Sequence, residues 1–109
     1  MPGPGFYRDA EIRRDTLTLE IDSAAAETIT VAAAAVGKRV IVTKVFLTFQ
    51  GTDQVSFDGG ADKTGPMQFK VDGILDLPDA WIVGDLGSAM TFIKAQAVAA
   101  RGYVNFIYR

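Results

Sequence analysis

Apolar and polar residues alternate along most of this chain, and turn-forming residues interrupt the alternation at regular intervals. Thr16-Leu-Thr-Leu-Glu-Ile-Asp22 puts Leu17, Leu19 and Ile21 on one side, the two-residue period of a half-buried strand. Ser23-Ala-Ala-Ala is a connector. Glu27-Thr-Ile-Thr-Val-Ala32 predicts a second strand with Ile29 and Val31 inward, ending in a turn at Val36-Gly37-Lys38. Gln54–Asp58 directs Val55 and Phe57 inward, and Gly59–Gly65 is a polar loop. Pro66–Val71 alternates again, with Met67, Phe69 and Val71 together, and Pro66 suits the first residue of a strand. Asp72-Gly73 signals a tight turn before Ile74–Pro78 and Asp79–Gly84. Asp85-Leu-Gly87 turns the chain into Met90-Thr-Phe-Ile, and Arg101-Gly102 turns it into Tyr103–Tyr108. Ala89–Arg109 is thus expected to form a closing hairpin that builds the last residues into a sheet.

The longest apolar run is Lys38–Gln50. Its odd positions Ile41, Val45, Leu47 and Phe49 make one apolar face, and its even positions Val40, Val42 and Phe46 make a second. A strand apolar on both sides is central in a core or covered from outside. Contact with another copy of the chain would bury the second face; internal burial is the other reading. About eight short strands with turn chemistry between them predict an all-β antiparallel sandwich, jelly-roll-like in its compactness. Residues 16–109 form that domain.

Residues 1–15 differ. Pro2, Gly3, Pro4 and Gly5 hold neither a helix nor a central strand, so an extended N-terminal arm is expected. Phe6, Tyr7 and Arg8 follow directly, and two aromatics on an arm call for a groove, on the parent domain or on a neighbour. The arginines of the Arg8–Arg14 stretch are offset by Asp9, Glu11 and Asp15, which reads as a solvated mixed-charge segment.

Composition narrows the functional classes. The chain has 109 residues, enough for one domain with a core of its own; 49% are hydrophobic and 22% charged. Net charge is −2 and the basic residues are scattered, against nucleic-acid binding. Met1-Pro-Gly-Pro-Gly lacks the basic-then-apolar pattern of a secretory leader, and no apolar stretch is long enough to span a bilayer, so no membrane role is expected.

The absence of histidine and cysteine removes the usual general base, thiolate nucleophiles, disulfides and Cys-based metal sites. It fits synthesis and assembly in a cytosol. None of Ser23, Ser56 and Ser88 lies in a nucleophile elbow, and Gly59-Gly60 lacks the context of a phosphate loop. Asp58, Asp62, Asp72, Asp76, Asp79 and Asp85 all lie in or near turns. A glycosidase pair or a calcium loop could be drawn from them, but turn-capping aspartates are the plainer reading. No catalysis, cofactor or metal is expected. Trp81, the sole tryptophan, opens an apolar run and reads as a core or interface anchor, with a ligand platform as the alternative.

From Thr28 onward the chain resembles a group of small β-sandwich structural proteins of tailed bacteriophage virions. The matching pieces are Thr28–Ala32, Gly37-Lys-Arg-Val40, Thr64-Gly-Pro-Met67, Leu77–Trp81 and the closing segment Ala89–Arg109. Residues 1–27 lie outside the pattern. The resemblance implies a virion component, with head-decoration (cement) proteins among the members compared. The expectation is a decoration protein on the outer surface of the head, assembled in the host cytoplasm. Its partners would be the major capsid protein and further copies of itself, as a homotrimer. Phe6, Tyr7, Arg8, Val40, Val42, Phe46 and Trp81 would form the partner and oligomer contacts. The alternative is a carbohydrate- or receptor-binding module of a tail or fibre, stacking sugars on Trp81, Tyr103 or Tyr108 beside aspartates. A tail or connector component is a further virion role.

Overall fold

The structure, a computed structural model, describes residues 15–69 and 73–109. Its strands are β1 (Leu17–Ser23), β2 (Thr28–Ala32), β3 (Val40–Phe49), β4 (Asp53–Asp58), β5 (Met67–Phe69), β6 (Ile74–Leu77), β7 (Ile82–Val83), β8 (Met90–Lys94) and β9 (Ala100–Tyr108). Each alternating segment of the sequence contains a strand among the described residues.

Two antiparallel sheets face each other. Sheet A has the order β1-β9-β3-β6, with the short β7 pairing beside β6 on the same side of β3; sheet B has the order β2-β8-β4-β5. Chain neighbours mostly lie in opposite sheets, so the chain crosses the sandwich repeatedly instead of meandering. The two four-strand orders β1-β9-β3-β6 and β2-β8-β4-β5, with β7 as an addition at the side of the first, make a jelly roll. Six of the seven pairings are long-range in sequence, and only β4–β5 joins consecutive strands.

The closing segment is therefore not a hairpin: β8 pairs with β2 and β4, whereas β9 lies between β1 and β3. The chain turns at residues 95–99, and Arg101 and Gly102, expected at the turn, lie inside β9. Gly102 serves a close approach. Its φ is +150°, and a Cβ there would drive into the Phe46 carbonyl oxygen of β3.

The second correction concerns β3. Its register against β9 runs Val40↔Tyr108, Ile41↔Ile107, Val42↔Phe106, then skips Thr43 and resumes at Lys44↔Asn105. The extra residue of this bulge inverts the facing of everything after it. Val40 and Val42 before it, and Val45, Leu47 and Phe49 after it, all belong to the sandwich core. Ile41 takes the opposite side, beside its cross-strand partners Ile107 and Val83. The expected second apolar face does not form: of Val40, Val42 and Phe46, only Phe46 faces outward.

The core is aliphatic and aromatic. Phe57 and Phe92, cross-strand partners on β4 and β8, pack at 5.2 Å between ring centroids with 50° between planes, and both are fully buried. Truncating either ring to alanine in such a setting costs about 3–5 kcal/mol. Toward the start of β1 the core thins, from Ile21 at 3% exposure to Leu17 at 48%.

Candidate functional site

The strand directions define two tips. Loops 33–39, 59–66 and 84–89 gather at one, with Asp15 and Arg109; its glycines make it the glycine tip. Loops 24–27, 50–52 and 95–99 gather at the other, the alanine tip.

At the glycine tip, backbone hydrogen bonds tie the loops together: Asp85 N donates to Gly59 O at 2.7 Å and Gly87 N to Lys38 O at 2.8 Å. Asp58 and Asp62 cap turns as their sequence context implies. Asp58 Oδ1 accepts from Gly60 N, and Asp62 Oδ1 accepts from Thr64 N and Gly65 N. Lys63 Nζ meets Asp85 Oδ1 at 2.7 Å, and Arg109 Nη1 meets Asp15 Oδ2 at 3.4 Å. Two large apolar side chains stand out into solvent here, Val36 at 100% and Leu86 at 59% exposure.

The alanine tip holds a feature that the sequence reading missed. Lys94 Nζ lies 2.5 Å from Asp53 Oδ2, both side chains fully buried. Lys94 also donates to Val98 O at 2.8 Å and Gln96 O at 3.3 Å, and Asp53 Oδ1 accepts from Gln54 N and Gln96 N. The Phe49 ring lies 5.9 Å from the ammonium. All three ammonium protons have acceptors, so Lys94 is held as a structural cation, not presented as a nucleophile. A signal existed. Asp53 shares the inward parity of Val55 and Phe57, and Lys94 that of Met90 and Phe92. Opposite charges at inward positions of adjacent strands call for a buried pair.

The outer face of sheet A is the third surface. One row of cross-strand partners reads Glu20, Tyr103, Phe46, Asp76 across β1, β9, β3 and β6; the next reads Asp22, Arg101, Thr48, Ile74. The Phe46 and Tyr103 rings stack at 6.1 Å between centroids and 28° between planes. Lys44 Nζ lies 5.6 Å from the Tyr103 centroid, and Arg101 Nε meets Asp22 Oδ1 at 3.2 Å. A shallow open depression of about 370 Å³ lies on the β1 side of Tyr103, lined mainly by residues of β1 and β9.

The expected contact residues are thus dispersed. Phe6, Tyr7 and Arg8 lie outside the described residues. Val40 and Val42 are core residues at 1% and 0% exposure and cannot meet a partner. Trp81 sits beside sheet A just before β7, half-exposed at 46%, and is not a core residue. Phe46 joins Tyr103 on the outer face. Tyr108 turns to the opposite side of β9, where its hydroxyl donates to Ala33 O at 2.9 Å. Among the described residues, no group of three or more Asp and Glu is placed to hold a metal ion. Comparison with protein-family models, with curated proteins and with solved structures returned no match to this chain.

Proposed function

We propose that this protein is a structural component of a tailed-bacteriophage virion, and most concretely a decoration protein of the head. In this reading it binds the outer surface of the assembled shell through the major capsid protein, as a homotrimer at threefold positions. The observation that carries the reading is the run of matching motifs from Thr28 to the closing segment. The jelly roll is compatible with it, since that architecture serves capsid proteins, though it serves lectins and enzymes as well.

The glycine tip is the docking end of this proposal. Val36 and Leu86 offer apolar contact there, and Asp15 lies at the same end, paired with Arg109. A ligand that binds only the assembled shell stabilises the shell by mass action, and many weak contacts repeated over a lattice sum to a large effect. Because Val40 and Val42 are buried internally, this proposal puts the oligomer contact at the tip and on the side bearing Trp81.

Co-sedimentation with emptied phage heads tests the reading. Wild-type protein should pellet with heads at saturable stoichiometry. Val36→Asp/Leu86→Asp and a form lacking residues 1–14 should melt as cooperatively as wild type yet remain in the supernatant. Wild-type protein that stays in solution with every head preparation tried would defeat the proposal.

A further inference from the structure

Three aromatics stood as possible sugar platforms in the sequence, and the structure separates them. Tyr108 is engaged across the sandwich through its hydroxyl, and Trp81 lies at the side of sheet A, away from the depression. Tyr103 stands on an open sheet face as one wall of a concavity. We infer that the depression between β1 and β9 is a binding site for a neutral oligosaccharide. The inference is independent of any role on a shell.

The wall is pre-set. From the β3 side, Phe46 stacks on Tyr103 and the Lys44 ammonium lies over its ring, so the tyrosine is braced before any ligand arrives. Gly102 contributes backbone alone to the lining. Ile21 adds apolar surface, and the other lining residues, Thr18, Glu20, Asp22 and Arg101, are of the types that meet hydroxyl groups. Carboxylates accept from sugar hydroxyls and a guanidinium donates to them, while the C–H face of a pyranose covers an aromatic ring. A volume of about 370 Å³ lies at the small end of ligand sites, matched to one or two sugar rings.

Charge selects neutral over anionic glycans. Across this face Glu20, Asp22 and Asp76 oppose Lys44 and Arg101, and both cations already have partners, Tyr103 and Asp22. An acidic sugar would therefore meet unfavourable carboxylates and, among the described residues of this face, no cation without a partner. The open shape and single aromatic wall imply weak, fast-exchanging binding.

Amide chemical shifts of isotopically labelled full-length protein, titrated with maltotriose, cellotriose, mannotriose and galactobiose, test the site. At least one sugar should move the signals of Thr18, Glu20, Gly102 and Tyr103 in a saturable way while Trp81 stays still. Tyr103→Ala should weaken that binding by about tenfold or more. Phe46→Ala, which removes only the brace, should weaken it less, and Glu20→Gln should weaken it in a spectrum otherwise like wild type. Absence of any saturable shift at the solubility limit of all four sugars overturns the inference, as does binding centred on Trp81. Movement of the same signals on raising protein concentration without sugar would make the face a protein–protein contact and would equally overturn it.

Discussion

A lysine–aspartate pair closes each tip of the sandwich, and the two pairs are alike in chemistry and distance but differ in burial and in the hydrogen bonds around them. Lys94–Asp53 at the alanine tip and Lys63–Asp85 at the glycine tip have N···O distances of 2.5 and 2.7 Å. The first pair is wholly excluded from solvent; the second is 22% and 50% exposed. At the alanine tip the pair is the hub of the local hydrogen bonds, holding loop 95–99 against the start of β4 through Gln96 and Val98. At the glycine tip the backbone bonds to Gly59 and Lys38 already tie the loops, and the ion pair lies over them. The alanine tip, where Gln50 N also donates to Ala99 O and Lys94 N to Glu27 O, thus adds a buried charge cluster to its backbone bonds, whereas the tip with exposed apolar groups has only a solvated pair over its own. That division leaves the side chains of the glycine tip available for contact.

The largest effect should come from Lys94→Met. It removes one partner of a dry ion pair and leaves Asp53 buried without a counter-charge, which costs about 3–5 kcal/mol. Urea unfolding followed by intrinsic fluorescence measures the loss. A destabilisation below about 1 kcal/mol would mean that water reaches the pair, as it reaches an exposed one. Adding Asp53→Asn sharpens the result. The amide oxygen can still accept from Gln54 N and Gln96 N, while the uncompensated charge is gone. The double variant should regain about 2 kcal/mol relative to Lys94→Met alone. No recovery would place the energy in packing around the Lys94 methylenes instead of in the charges.

These two positions also show how far a sequence carries the structure. Period-two alternation located the strands because one face of each is buried, and that constraint is local. What alternation cannot supply is an event set by a partner strand. The bulge arises because Thr43 of β3 has no partner between Phe106 and Asn105 of β9, and nothing in Lys38–Gln50 alone shows where facing inverts. Val40 and Val42 were therefore assigned to the wrong side. Gly102 looked like a turn because glycine usually is one; its reason is the Phe46 carbonyl of a strand distant in sequence. Crossing between sheets is likewise invisible locally, so the closing segment passed for a hairpin. Lys94 and Asp53 were legible in principle, each at an inward position, but only to a reader who knew that β4 and β8 pair. The outer-face site was half visible: Tyr103 stood among three candidates, and only topology sets it beside Phe46, Glu20 and Arg101.

A substitution of intermediate effect probes the backbone side of the comparison. Gly60 adopts φ +95°, and a Cβ there would crowd Asp85 Oδ2 and Ser88 Oγ. Gly60→Ala should cost about 1–2 kcal/mol, mostly from the left-handed backbone, because the crowded side chains can move. Thermal melting reads this directly. If the glycine tip depended on its ion pair and not on its backbone, displacing Asp85 would add to the loss, and the total would approach that of Lys94→Met.

The smallest effect should come from Lys63→Ala, and it discriminates best. An exposed pair contributes about 0–1 kcal/mol, since each group keeps much of its hydration and ordering the side chains offsets the attraction. Salt separates the two pairs further. At 1 M ionic strength the screening length falls to about 3 Å, which weakens interactions between solvated charges and leaves a dry pair nearly untouched. Unfolding by urea, a non-ionic denaturant, can be repeated at low and high sodium chloride on the same variants. The Lys63→Ala loss should shrink toward zero as salt rises, while the Lys94→Met loss stays constant. If both losses fell together, the alanine tip would be open to ions and its pair would be a surface contact. If neither fell, Lys63 would be acting through the contacts of its methylenes with the tip loops, and the glycine tip would owe its order to packing that its partly buried lysine provides.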